Sequence, residues 1–347
     1  MKTIALIASV LSASVAAQPA VSAPDEATVL TYLARSIPAE DLAELRAAAP
    51  NLHVIEGLSR AAALKLAPEV DGIDGRYCTA EFLRAAGKLR WVQSTSAGVE
   101  RYIAVTELRD NDRIVLTNMQ AVHGPTIADH AFAMLLALTR DLPYYLDPAH
   151  RGNWNRRGSG AEPIALHGRT LLVVGLGGIG TEVARRGKGF GMRVLATRRS
   201  DTPPPSFVDR QATPDKLMEL LAEADVVALC VPLTPQTERM IGARELAALK
   251  KGAYVINVGR GKVLDTDALV EALESGHLGG ACLDVTDPEP LPSEHPLWSM
   301  PNVVITPHMS GRSALTRERW NAVYMENLRR FGTGEPLMNV VDKRAGY

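Results

Sequence analysis

The sequence is short of the residues that would tie it to several large protein classes. It holds three cysteines, Cys78, Cys230 and Cys282, none in CxxC spacing, so neither a disulfide framework nor a metal site is expected. Cys230 and Cys282 lie in the apolar runs VVALCVPL and GGACLDV, where a buried, inert thiol is the plain expectation. Aromatic residues make up only 5%, too few for a base-stacking platform. Neither sign of charge dominates: 38 Lys and Arg stand against 39 Asp and Glu, a net −1. Nucleic acid and anionic membrane surfaces are therefore not expected partners. Beyond the N-terminus no apolar run suits a transmembrane helix.

What is present is 347 residues, enough for two domains, with 46% hydrophobic and 22% charged residues, an ordinary globular composition. The N-terminus stands apart. Met1 and Lys2 lead into an apolar stretch from Ile4 to Val15, then small residues with A-x-A-like sites ending near Ala17 or Ala23. That is the layout of a secretory signal peptide, and it implies export to the periplasm. The alternative is a misassigned start or a disordered leader on a cytoplasmic protein.

From Ala27 to Asn118, ATVLTYLA, LHVIEGL, WVQSTSA and RIVLTN read as strands, apolar runs bounded by turn residues. Between them PAEDLAELRAAA and TAEFLRAAGKL read as helices, the first opening with Pro38 and acids, the second with Thr79 as N-cap. GPTIADHAFAMLLALTR follows as a long apolar helix. A second series of strands is TLLVVGLG, MRVLATR, DVVALCV, AYVINVG, ACLDV and VVITPH, and the tail from Ser313 to Phe331 is helical. PPPS at 203–206 reads as a rigid loop. Alternation of strand and helix predicts an α/β protein of two doubly wound parallel-sheet domains.

VVGLGGIG sets Gly175, Gly177 and Gly180 in a G-x-G-x-x-G pattern, with Ile179 among them, between an apolar strand and the helix TEVARRGKGFG. Gly175 permits the tight turn, Gly177 lets a pyrophosphate approach the backbone, and Gly180 lets helix and strand pack closely. The helix start then favours the phosphates. NAD enzymes carry an acid at the end of the next strand, about twenty residues on. Here the strand runs into Arg198, Arg199 and Ser200, and guanidinium groups suit a 2′-phosphate. NADP is the expected cofactor, with NAD possible.

Ordered motifs then make a resemblance specific: STSAGVERY (94–102), HGPTIADHAFAMLLAL (123–138), VVGLGGIG (173–180), VPLTPQT (231–237), VINVGRGKVLDTDAL (255–269), GGACLDVTDPEPLP (279–292) and VVITPHMSG (303–311). From about Ala27 to Tyr347 the chain resembles the D-isomer-specific 2-hydroxyacid dehydrogenases, among them glyoxylate/hydroxypyruvate reductases. The resemblance implies a flavodoxin-like substrate domain (24–122 plus 312–347, after a leader at 1–23) interrupted by a Rossmann domain (123–311), and a homodimer. It implies D-specific hydride transfer between NADP(H) and C2 of a small 2-keto or 2-hydroxy acid, run as a reductase, with domain closure excluding water.

Such a reaction needs a cation for the substrate's oxygens, a proton donor for the developing alkoxide, and a group that tunes the donor. Arg260, just past a strand end, matches the substrate arginine. His308, at the end of VVITPH, is the acid/base, and Glu289 matches the glutamate that pairs with it and favours the imidazolium. Ala97 and Gly98 would bind the substrate carboxylate through backbone N–H groups. Asp284 would lie beside the nicotinamide carboxamide; Val231, Pro232 and Thr237 would line the cofactor, and Val258 would be the apolar position near the ring. His123 and His130 look structural, His295 looks like loop, and the arginine pairs 156–157 and 185–186 look like solvated faces. A Ser–His–Asp hydrolase fails for want of a G-x-S-x-G elbow. Two other readings stay open: a formate- or phosphite-type dehydrogenase, and a non-catalytic, nicotinamide-sensing co-repressor-like module.

Overall fold

A computed structural model describes residues 28–154, 156, 160 and 162–347. The leader at 1–23 and Arg157 lie outside the described residues. The chain divides into two compact units, one running to Val122 and resuming at Ala314–Tyr347, the other His123–Ser313.

The first unit carries a five-stranded sheet of β1 (Leu30–Ala34), β2 (Leu52–Glu56), β3 (Gly72–Asp74), β4 (Trp91–Gln93) and β5 (Val115–Thr117), in the order β2-β1-β3-β4-β5. Every pairing is parallel. Side chains alternate across a strand, so Leu30, Tyr32 and Trp91 enter one core while Leu33 and Val92 enter another on the opposite face. Both faces being covered explains why the strands read as continuous apolar runs. The helix Ala314–Thr333 supplies Trp320, Val323, Tyr324, Leu328 and Phe331 to the first of these cores. Its Asn327 is fully buried, donating to Gln93 at 2.9 Å and accepting from the Met338 amide at 2.7 Å.

The second unit holds β6 (Thr170–Val174), β7 (Arg193–Thr197), β8 (Arg210–Ala212), β9 (Val226–Leu229), β10 (Ala253–Asn257), β11 (Leu278–Leu283) and β12 (Val303–Ile305), ordered β12-β11-β10-β9-β6-β7-β8 and parallel throughout. This is the dinucleotide-binding order with one strand added. Leu171 and Val173 face the core made with helices Gly124–Thr139 and Gly178–Gly189; Leu172 and Val174 face the opposite one.

The sequence reading misses β3 and β8, three residues each, and the helices Arg60–Leu66 and Leu142–His150. It also runs one strand too far. WVQSTSA stops being a strand at Gln93, because the Ser94 and Ser96 hydroxyls bond to nearby carbonyls and turn the backbone. Thr79 caps its helix as expected, accepting from the Phe82 amide. Arg186 is not on a solvated face. It ties the Glu182 and Asp129 carboxylates and the Pro125 carbonyl together, clamping helix Gly178–Gly189 to helix Gly124–Thr139. Among the described residues no helix is long and apolar enough to cross a membrane.

Candidate active site

The strand order of the second unit reverses at β6, whose neighbours are β9 and β7. Open α/β sheets bind ligands at that point, beyond the carboxyl ends of the strands. Gly175 follows β6 with φ +96°, a conformation side chains resist, and a Cβ there would stand 2.6 Å from Val231 Cγ1. A Cβ on Gly180 would stand 2.0 Å from the Gly175 carbonyl oxygen, so helix and loop touch only because none exists. At Gly177 a Cβ would meet nothing within 4 Å. It would fill open space before the helix N-terminus, which is the cradle a pyrophosphate needs. These residues fit a dinucleotide.

The loop is pinned to the end of β7. The Leu176 amide donates to the Thr197 carbonyl at 2.9 Å and the Gly175 amide to Thr197 Oγ1 at 3.1 Å. Arg198 follows half-buried, then Arg199 and Ser200 exposed, beside the phosphate cradle. Ile179 is half-buried against the helix core. Val231 is half-buried and Pro232 exposed after β9. The Thr237 hydroxyl donates to the Pro232 carbonyl at 2.6 Å, so it closes that turn. Val258 is 4% exposed.

Asn257, Leu283 and Ile305 are register partners on β10, β11 and β12. Arg260 lies just past the first, Asp284 follows the second, and His308 lies just past the third. Gly259 and Gly261 let the arginine's loop press against its neighbours: a Cβ would stand 2.8 Å from the Val231 carbonyl oxygen at one and 1.8 Å from that of Thr286 at the other. Asn257 holds the loop from within, donating to the Arg260 carbonyl at 3.0 Å and accepting from the Gly259 amide at 3.1 Å. The guanidinium itself donates to the Gly259 carbonyl at 2.8 Å.

His308 has φ +49°, an unusual backbone for a residue with a side chain, and one that clusters where function demands it. Its Nδ1 lies 2.7 Å from Glu289 Oε1, and both side chains are partly exposed. Asp284, only 1% exposed, holds the loop that carries the histidine. Its carbonyl accepts from the His308 amide at 2.8 Å. Its carboxylate accepts from Thr306 Oγ1 at 2.6 Å, the Met309 amide at 2.9 Å and the Ser310 amide at 3.0 Å. Burial works against that charge, but the donors Ser310, Thr306 and Met309 outweigh it and keep the carboxyl below the ordinary carboxylate range. Sequence reasoning gives Asp284 to the cofactor; the structure shows its oxygens engaged by residues 306–310.

Ala97 and Gly98 belong to the first unit, in the loop after β4. The carbonyls of Thr95, Ser96, Ala97 and Gly98 accept from Trp320, Met119, Asn118 and Ser96 respectively. Among the described residues no hydrogen bond is donated by the Ala97 or Gly98 amide. No group of three His, Cys, Asp or Glu suited to a metal occurs among the described residues.

Residues 132–310 match the model of the D-isomer specific 2-hydroxyacid dehydrogenase, NAD binding domain. A glyoxylate reductase of Korarchaeum cryptofilum is 40% identical over 269 residues, 76% of this chain and 79% of its own. A D-isomer specific 2-hydroxyacid dehydrogenase from Xanthobacter autotrophicus Py2, solved in complex with NADPH and MES, is 30% identical with a TM-score of 0.74, covering 92% of this chain and 100% of its own. An NADPH-dependent glyoxylate/hydroxypyruvate reductase from Sinorhizobium meliloti, solved with NADP and sulfate, has the same TM-score at 27% identity, covering 92% and 100%. The chain therefore belongs to the D-isomer-specific 2-hydroxyacid dehydrogenase family, as an NAD(P)-dependent oxidoreductase acting on a CH–OH group.

Proposed function

We propose that the protein is an NADP-preferring, D-specific reductase of small 2-keto acids of the glyoxylate and hydroxypyruvate type. The observation that carries this is the His308–Glu289 contact of 2.7 Å on the strand-end edge that also bears Arg260. An ionised carboxylate can only accept, so Nδ1 of His308 carries a proton and Nε2 is the nitrogen left to face substrate. As imidazolium, His308 gives its Nε2 proton to the developing alkoxide and relaxes to the Nδ1–H form that Glu289 already holds. Arg260 orients the substrate's oxygens with a guanidinium anchored on its own loop. Bound NADPH supplies the hydride for C2. Gly175, Gly177, Gly180 and Ile179 would hold the pyrophosphate, with Val231, Pro232, Thr237 and Val258 around the rest of the cofactor.

The NADP preference rests on Arg198 and Arg199, two guanidinium groups where an NAD enzyme carries an acid. Names of relatives support the substrate class: glyoxylate reductase recurs among them. The test is an absorbance assay at the nicotinamide band, crossing NADH and NADPH with glyoxylate, hydroxypyruvate and larger 2-keto acids. Turnover confined to NADH would remove the cofactor assignment. Silence across the panel with tight cofactor binding would turn the reading to a non-catalytic sensor.

Two further parts of the proposal are a homodimer and export. Helix Leu142–His150 buries none of its residues and exposes Leu142 and Leu146, with Trp154 beyond it 88% exposed, an apolar surface suited to a second copy. Light scattering on the purified protein tests it. Export rests on the leader's layout, and N-terminal sequencing of the mature protein would show cleavage near Ala17 or Ala23.

A further inference from the structure

We infer that His130 is a positioning residue for His308, acting through Thr306 and Asp284; this rests on His308 being the proton donor. His130 sits on helix Gly124–Thr139, 176 residues before Thr306, with Nε2 3.0 Å from Thr306 Oγ1. The direction of that bond follows from its neighbour. Thr306 has one hydroxyl proton, and Asp284 Oδ1 lies 2.6 Å away and can only accept. The threonine proton is therefore spent on the carboxylate, and the hydroxyl must accept from His130. Nε2 of His130 carries a proton, and the chain runs in one sense: imidazole to hydroxyl to carboxylate.

The same carboxylate collects the Met309 and Ser310 amides, and the Asp284 and Thr306 carbonyls share the His308 amide at 2.8 and 3.0 Å. His308 thus rides on a loop whose left-handed turn is held from both ends of this chain. Chains of hydrogen bonds in a buried setting reinforce one another. Removing the first donor leaves the Thr306 hydroxyl short of a partner and loosens the carboxylate that fixes the turn.

The experiment uses the full-length protein and the variants His130→Leu, His130→Gln, Thr306→Val, Thr306→Ser and His130→Leu/Thr306→Val. Glutamine keeps an N–H donor at the reach of Nε2. Expected are a fall of about tenfold in kcat for glyoxylate in His130→Leu and Thr306→Val, little change in KM, and recovery of most of the loss in His130→Gln and Thr306→Ser. The double variant should be no slower than Thr306→Val alone, because both sever one chain. Independently of turnover, hydrogen exchange at the Met309 and Ser310 amides should speed up in His130→Leu and not in His130→Gln. Equal losses in Leu and Gln variants, additive losses in the double, or unchanged exchange would overturn the inference. A wild-type protein inert on every 2-keto acid would instead overturn the functional reading, and the exchange data would still decide this one. Should His130→Leu fail to fold, the Gln and Thr306 variants carry the same test.

Discussion

Nδ1 of His308 stands 2.7 Å from Oε1 of Glu289, a carboxylate 19 residues earlier in the chain. The two come from different loops, after β12 and after β11, and meet because those strands are neighbours in register. The contact fixes which ring nitrogen faces outward and so which one does chemistry.

Replacing His308 with Asn removes the proton donor and should lower kcat by about 10²–10⁴-fold, the usual share of general acid–base catalysis. Glu289→Gln keeps a hydrogen-bond acceptor but loses its charge. Charge-assisted bonds are roughly twice as strong as neutral ones, so a loss of about tenfold is expected. Steady-state kinetics with glyoxylate checks both. Wild-type kcat in either variant would remove the pair from the mechanism.

Asp284 is one of the carboxylates that contribute to acid stability. Its carboxyl is held below the unfolded value of about 3.9 by the donors that outweigh its burial. A depressed folded pKa stabilises above the unfolded pKa, and that stabilisation disappears as pH falls through the folded value. Asp284→Asn should therefore cost roughly 2–4 kcal/mol at pH 7, from donors left poorly satisfied. The gap in melting temperature between variant and wild type should narrow below about pH 4. A gap that stays constant down to pH 3 would show that the charge contributes nothing.

The thiols should be silent in the folded protein. Burial pushes Cys78 and Cys230 up to about 12, and Cys282, fully buried on β11, higher still. A thiol reagent at pH 8 meets almost no thiolate, and all three should react only after denaturation. Cys282 is fully buried, whereas Cys78 and Cys230 are only partly so, against the expectation for Cys230. Fast labelling of even one in the native state would show that its thiol is not held in the protonated form.

What the sequence made legible follows from where side chains go. Runs such as TLLVV and VVAL announce buried parallel strands, because both faces of the sheet are covered and all positions but Thr170 are apolar. β8, the polar RQA, lies at the sheet edge with partly exposed side chains, so it carries no such signal. β3, the three residues GID between Asp71 and Gly75, reads as a turn although every residue in it is buried. The glycine pattern, Arg260, Glu289 and His308 stand in motifs and could be picked out one by one. The partnership of His130 with Thr306 could not, since nothing local marks a hydrogen bond across 176 residues. Asp284 was legible as a residue of interest but not as the acceptor that holds residues 306–310.

Two glycines three positions apart separate binding from folding. At Gly180 a methyl group would stand 2.0 Å from the Gly175 carbonyl oxygen and 2.9 Å from Val173 Cγ1. Backbone cannot yield as a flexible side chain can, so Gly180→Ala should destabilise the cofactor unit and lower its melting temperature with or without nucleotide. At Gly177 the methyl would meet no protein atom within 4 Å, and the residue's φ of −94° suits alanine. Gly177→Ala should leave the melting temperature of the nucleotide-free protein unchanged or slightly higher, since alanine restricts the unfolded chain. Its cost should fall on binding, because the methyl occupies the space a pyrophosphate must enter, and the Kd for NADPH should rise about tenfold or more. Calorimetry for binding and differential scanning fluorimetry for stability read the two effects separately. Undiminished affinity in Gly177→Ala would show that the nucleotide does not use this cradle.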